Sequence, residues 1–227
     1  MDVMMTYSKN AKTSRARKYY KLLSKWIQYS IDKILREAHY SFFPNANQVY
    51  AQHSAYLPNI PYFEIDALPY TLTNNHTLLF IGDLRYEPNI IGIEHFVENV
   101  FPMIRKRIPD ARLLVAGKYR DEDWRKKMEQ NDNVEILGFV KELVPIYERA
   151  QVCVVPIYSG AGTNIKVLEA LQLGRACVVS EEGTRGFTSN LKNGRDYVVA
   201  SNDQEFASHV INMLTDRDLC QVIARNG

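Results

Sequence analysis

Apolar and polar positions change their period near residue 75. Between Lys18 and Arg36, Tyr19, Leu22, Leu23, Trp26, Ile27, Ile31, Ile34 and Leu35 recur at intervals of three and four, while Lys18, Lys21, Lys25, Gln28 and Asp32 share the other side. That spacing predicts one amphipathic helix. A strand candidate, Tyr40–Phe43, and a turn at Pro44-Asn45-Ala46-Asn47 follow. From Ser54 to Thr73 no period persists, and Pro58, Pro61 and Pro69 punctuate the chain, which predicts an extended linker.

Past the linker, apolar runs of strand length alternate with stretches of helical period. The runs are Leu78–Ile81, Leu113–Ala116, Val134–Leu137, Val152–Pro156, Cys177–Ser180 and Tyr197–Ala200. Between the first two, Ile93, Phe96, Val97, Val100, Ile104 and Ile108 mark a helix that Pro102 is expected to kink. Further helices are predicted over Asp123–Glu129, Glu142–Arg149, Asn164–Leu173 and Gln204–Leu214. Strands apolar on both faces that alternate with helices imply an α/β fold, a parallel sheet covered on both sides by right-handed crossovers. The expected organisation is a helical N-terminal segment over residues 1–57, a linker over 58–75 and one sheet domain over 76–227.

Composition changes this picture in one respect. The chain has 227 residues, 46% hydrophobic and 24% charged, a globular balance that excludes disordered and fibrous classes. Its net charge of +2 is unevenly spread: residues 1–38 hold nine Lys or Arg against three Asp or Glu, and the remainder is mildly acidic. An acidic body without stacking aromatics among basic residues argues against nucleic acid as a partner. Cys153, Cys177 and Cys220 have no metal or disulfide spacing, so a reducing cytoplasm is expected and no metal site.

The chemistry concentrates in Val154–Ala170. A strand ends, a loop with Gly160 and Gly162 follows, and Thr163 or Asn164 caps a helix. Glycines let backbone approach a ligand closely, and an N-terminal helix end favours an anion, with phosphate the natural guest. Lys166 sets a cation in the first turn, and Glu169, three residues on, can accept hydrogen bonds from neighbouring sugar hydroxyls. The bland alternative is a cap, a turn and a surface ion pair contributing ~0.2–0.5 kcal/mol. A dinucleotide site would put its glycines after the first strand, where Gly82 stands alone, so NAD is not expected.

The series Leu79–Asn89, Pro109–Gly117, Leu137–Val140, Ser159–Ala170 and Gly174–Ser180 resembles the C-terminal half of a family four (group 1) retaining glycosyltransferase. The resemblance covers about residues 54–227. It implies the GT-B architecture, two facing Rossmann-like domains with the nucleotide-sugar donor held mainly by the second. It also implies sugar transfer with retention, without metal or any other cofactor. By the resemblance, Glu169 matches the second glutamate of the family's Glu-(seven residues)-Glu motif, which holds the ribose; the first falls at Ala161 and is missing. Gly160, Gly162, Thr163 and Asn164 are then expected to meet the diphosphate. Gly138, Phe139 and Val140 are expected at the base, and Arg185 near the sugar. Where the family grips phosphate with Arg and Lys in the first loop, this chain has Asp83 and Pro88, with Arg85 as the nearby substitute. Lys166 and Arg85 are thus the expected catalytic cations.

The basic helix and linker resemble the tail of the family's N-terminal, acceptor-binding domain. By that resemblance most of the domain, including its catalytic histidine, is expected to be missing from this chain; His39, His53, His76, His95 and His209 lie in none of the matching motifs. The expected partners are a nucleotide-diphosphate sugar and a missing N-terminal domain or partner subunit, on whose sheet the apolar face of the basic helix is expected to pack; the alternative for that helix is a peripheral contact with the inner membrane face. The alternative to an enzyme donor domain is a non-catalytic nucleotide-sugar-binding subunit or degenerate module.

Overall fold

The computed structural model describes residues 13–43, 53–57, 75–160 and 162–227, with the single residues 8, 11, 49 and 59. The predicted turn at 44–47, most of the linker and Ala161 lie outside them. The contact pattern divides the chain into two units, residues 1–59 with 159–163 and 185–187, and the remainder. Each is described by itself.

In the first unit, helix α1 runs from Ser14 to Glu37. Thr13 caps it, its hydroxyl accepting from the Ala16 N–H at 3.2 Å, and Ala38 ends it in extended backbone. Strands β1 (Ser41–Phe43) and β2 (Ser54–Tyr56) pair in parallel. The second of these corrects the linker expectation, since Ser54–Tyr56 has a strand partner that no local period could announce. Along α1, Leu23, Ile27 and Ile31 are partly buried, whereas Tyr19, Leu22, Trp26, Tyr29 and Ile34 are exposed. No described helix is long and apolar enough to cross a membrane.

The second unit is built on six parallel strands: β3 (Thr77–Ile81), β4 (Arg112–Ala116), β5 (Val134–Gly138), β6 (Val152–Val155), β7 (Ala176–Ser180) and β8 (Val198–Ala200). Their order is β5-β4-β3-β6-β7-β8. Buried positions run consecutively along β6 and β7, so both faces of the central strands are covered. The covering helices are α2 (Glu87–His95), α3 (Phe101–Arg107), α4 (Glu122–Glu129), α5 (Val144–Arg149), α6 (Ile165–Gln172), α7 (Asp203–Thr215) and α8 (Arg217–Asn226).

At Pro102, where a kink is expected, the helix is disturbed by a π turn. Phe96–Val100 forms a π turn between α2 and α3, and the Phe101 N–H donates to Phe96 O. Proline has no N–H to return to the preceding turn, so the ladder must adjust just before it, and a five-residue turn does so without abandoning the helix. The widened segment keeps Phe96, Val97, Val100 and Phe101 buried. Phe96 lies edge-on to Phe206 of α7, with ring centroids 5.4 Å apart, and stacks on Phe101 at 6.3 Å.

Candidate functional site

The strand order reverses direction between β3 and β6, and open parallel sheets hold ligands beyond the carboxyl ends of strands at such a reversal. The loop after β3 is drawn against the end of β4. The Gly82 N–H donates to Ala116 O at 3.0 Å and the Leu84 N–H to Lys118 O at 2.7 Å. Gly117 has φ +142°, and a Cβ there would collide with Gly82 O, so glycine is required for this approach.

Helix α6 starts at the same end of the sheet and buries Val167, Ala170 and Leu171, leaving Lys166 and Glu169 on one partly buried face. Lys166 Nζ donates to Asn89 Oδ1 at 3.0 Å and lies 5.5 Å from the centre of the Phe80 ring. Burial lowers its pKa to about 8, against a smaller opposing pull from Glu169. Burial likewise raises the pKa of Glu169, only partly offset by the Tyr147 hydroxyl, which donates to Glu169 Oε2 at 3.4 Å, and by Lys166. A cation and a carboxylate thus stand one turn apart, each held short of full solvation.

The expected cap is not made. Asn164 stands at the N-cap of α6 without a side-chain cap, because its Nδ2 donates to Gly183 O at 2.9 Å. Among the described residues no side-chain cap covers the start of α6, which stays electropositive.

Arg85 is engaged within its own loop. Its Nε donates to Asp83 Oδ1 at 2.9 Å and its Nη2 to Oδ2 at 2.6 Å, and this hydrogen-bonded guanidinium lowers the Asp83 pKa to about 2. The departure at Asp83 thus matches the charge of the cation expected to compensate for it. At the end of β5, Gly138 has φ +69°, Phe139 is 67% exposed with Lys118 Nζ 5.0 Å from its ring centre, and Val140 is partly buried.

In the other unit, Gly160 and Gly162 both take positive φ, 111° and 84°. Arg185 reaches this loop: Nη1 donates to Gly160 O at 2.5 Å and Nη2 to Ser159 O at 3.2 Å. A Cβ on Gly186 would collide with Thr163 Oγ1, so the turn carrying Arg185 lies directly on the loop. Arg185 holds loop carbonyls, a role the sequence alone does not indicate.

Two residues of the α6 cluster escaped sequence reasoning. Asn89 lies in the first loop's Pro88-Asn89 and Tyr147 in an ordinary helical stretch, so neither had a signal beyond a polar group at an otherwise apolar position. His95, assigned no role, pairs with Asp203 at 2.8 Å and meets the Tyr158 ring edge-on. A separate hollow among Asn75, Asp110, Arg112, Glu135 and Arg149 opens at the amino ends of the strands, the wrong end for a ligand of this fold.

The model of the group 1 glycosyl transferases matches residues 75–216. The chain is 30% identical over 146 residues to an uncharacterised 44.6 kDa protein in the cps region of Klebsiella pneumoniae, covering 61% of this chain and 37% of that protein. Solved structures share the fold at low identity. TarM superposes with a TM-score of 0.72 at 15% identity, over 95% of this chain and 44% of TarM. Sucrose-phosphate synthase from Thermosynechococcus elongatus gives 0.69 at 16%, over 98% and 59%. HepE of Anabaena, solved with UDP and glucose, gives 0.66 at 15%, over 88% and 60%. This chain thus spans between 37% and 60% of the length of these relatives. With the family model matched over more than half of its residues, on a parallel sheet that reverses at β3 and β6, the chain belongs to the group 1 glycosyltransferases and carries the Rossmann-like sheet of the GT-B fold.

Proposed function

We propose that this chain supplies the donor-binding half of a retaining, metal-independent glycosyltransferase that moves a sugar from a nucleoside diphosphate to a glycan or a lipid-linked acceptor. The observation that carries the reading is the α6 face. Lys166 is held at the sheet reversal by a neutral hydrogen-bond partner, so its charge is available to a diphosphate, and Glu169 one turn deeper suits a ribose diol. HepE and a TarM mutant were each solved with UDP, which supports a nucleoside diphosphate as a ligand of this chain.

In this reading the start of α6 offers N–H donors to the diphosphate, and within the other unit Arg185 ties down the carbonyls of the loop that carries Gly160, Gly162 and Thr163. When the bond from the sugar to the diphosphate breaks, the electron pair moves onto phosphate oxygen, and Lys166 with the helix N-terminus stabilises that charge. Arg85, already matched by Asp83, adds less. Gly138, Phe139 and Val140 form the edge against the base. A second domain or a partner subunit takes the acceptor.

The Asp83–Arg85 pair favours a second reading, a nucleotide-sugar-binding module without turnover, because it removes the free cation of the first loop. Calorimetry of the full chain with UDP, GDP and ADP tests the site. Glu169→Ala and Lys166→Ala are each expected to weaken the best nucleotide by about tenfold or more. Affinities within error of the parent would remove the assignment. With a second domain or partner subunit supplied to take the acceptor, acceptor-dependent nucleotide release from the corresponding sugar nucleotide favours the enzyme, and tight binding without release in that assembly favours the module.

A further inference from the structure

We propose that Asn89 is a positioning residue for the donor, its amide holding the Lys166 ammonium at the sheet reversal and fastening the loop after β3 to helix α6. The inference rests on the donor-binding reading above.

Asn89 is 6% exposed and sits in the first turn of α2 beside Ile90 and Ile93. A buried amide needs partners at both ends. Nδ2 donates to Asp83 O at 2.9 Å, and Oδ1 accepts from Lys166 Nζ at 3.0 Å. The orientation is dictated by the partners, since a carbonyl only accepts and an ammonium only donates. An aspartate would keep the lysine and lose the carbonyl; an aliphatic side chain would lose both.

Capping does not account for this residue. Helix α2 has no side-chain cap, and the Asn89 side chain spends its donor on the preceding loop. Space around the pair is closely fitted: a Cβ on Gly82 would come 2.9 Å from Asn89 Nδ2 and 3.3 Å from Lys166 Cε. The acid of the loop, Asp83, is turned to Arg85, so the group presented to Lys166 is the neutral amide. A neutral partner fixes the position of the ammonium while leaving its charge for an anion, which a carboxylate in the same place would cancel.

The test uses the full chain with UDP as probe, calorimetry for affinity and the NMR titration of the Lys166 ε-carbon for the contact. Asn89→Ala is expected to weaken UDP by about tenfold. Asn89→Asp is expected to weaken it at least as much while raising the lysine's titration point, an opposition that general loosening of the fold would not produce. In a Lys166→Met background Asn89→Ala is expected to cost nothing further. Should the alanine variant fail to fold by circular dichroism, Asn89→Ser and Asn89→Asp give the same reading. Parental affinity in the alanine variant, or an equal loss with and without Lys166, overturns the inference while leaving the donor site standing. A parent chain that binds none of UDP, GDP and ADP overturns the donor site, and this inference falls with it.

Discussion

Helix α1 runs for 24 residues and carries Tyr19, Leu22, Trp26 and Tyr29 along one stripe, each between 59% and 66% exposed. Helix α6 has eight residues, buries Val167, Ala170 and Leu171, and turns its two ionisable side chains toward Asn89 and Tyr147. Both are amphipathic, and by length and charge α1 has the clearer pattern. Yet α1 presents large apolar groups to solvent, each forgoing up to about 1.5–3 kcal/mol of burial, while α6 converts a short pattern into a cluster that can do chemistry. The difference lies in what each helix is attached to. A parallel sheet that reverses direction leaves an opening at its carboxyl end, and the helix that starts there acquires ligand-facing positions from the strand order, whatever its own composition.

The comparison breaks most visibly in the core of the sheet unit, where the π turn packs on α7. Phe96, fully buried against Phe101 and Phe206, is expected to lower stability by about 3–5 kcal/mol when changed to alanine, as measured by urea unfolding. A loss below about 1 kcal/mol would mean the sheet unit is not the stable partner of the two.

A smaller effect distinguishes α6 itself. Burial lowers the Lys166 pKa from 10.5 to about 8, so between those values the unfolded chain binds more protons than the folded one. Stability then rises with pH across that window, because the charged lysine weighs on the fold below it. The difference between the parent and Lys166→Met, followed by urea unfolding at about pH 7 and about pH 9.5, is expected to shift in favour of the parent at the higher pH. A constant difference would place the ammonium in open solvent, as on α1.

The smallest expected effect belongs to α1. Trp26→Ser, at a position 65% exposed, is expected to change stability by no more than about 0.5 kcal/mol. A loss of about 2 kcal/mol or more would show that the stripe is covered in solution and would erase the contrast.

The strands were the most legible part of the fold. Each of the six apolar runs lies on an observed strand to within a residue or two, because a strand covered on both faces must be apolar throughout. The π turn was less legible: Pro102 announces a disturbance, but whether the helix bends or widens depends on keeping Phe96 and Phe101 in the core, a tertiary matter. The β1–β2 pairing was invisible, since three residues paired in parallel with three others leave no period. In the site, Lys166 and Glu169 were named from spacing alone. Thr163 or Asn164 was expected to cap α6; Asn164 stands at the N-cap position, but its side chain donates to Gly183 O instead of accepting from a helix N–H.

By itself, the sequence determined that the chain holds a parallel α/β domain with a glycine-bearing loop leading into a helix that carries Lys166 and Glu169, because strand burial and helix starts are local matters of side-chain polarity and backbone freedom. Only the tertiary structure decided which groups meet: that Lys166 meets the neutral amide of Asn89, that Asp83 turns to Arg85, and, in the other unit, that Arg185 grips the loop carbonyls. Those choices depend on strand order and on close approaches between distant segments. A charge acquires its meaning from its partner, and the partner of Lys166 lies 77 residues away along the chain.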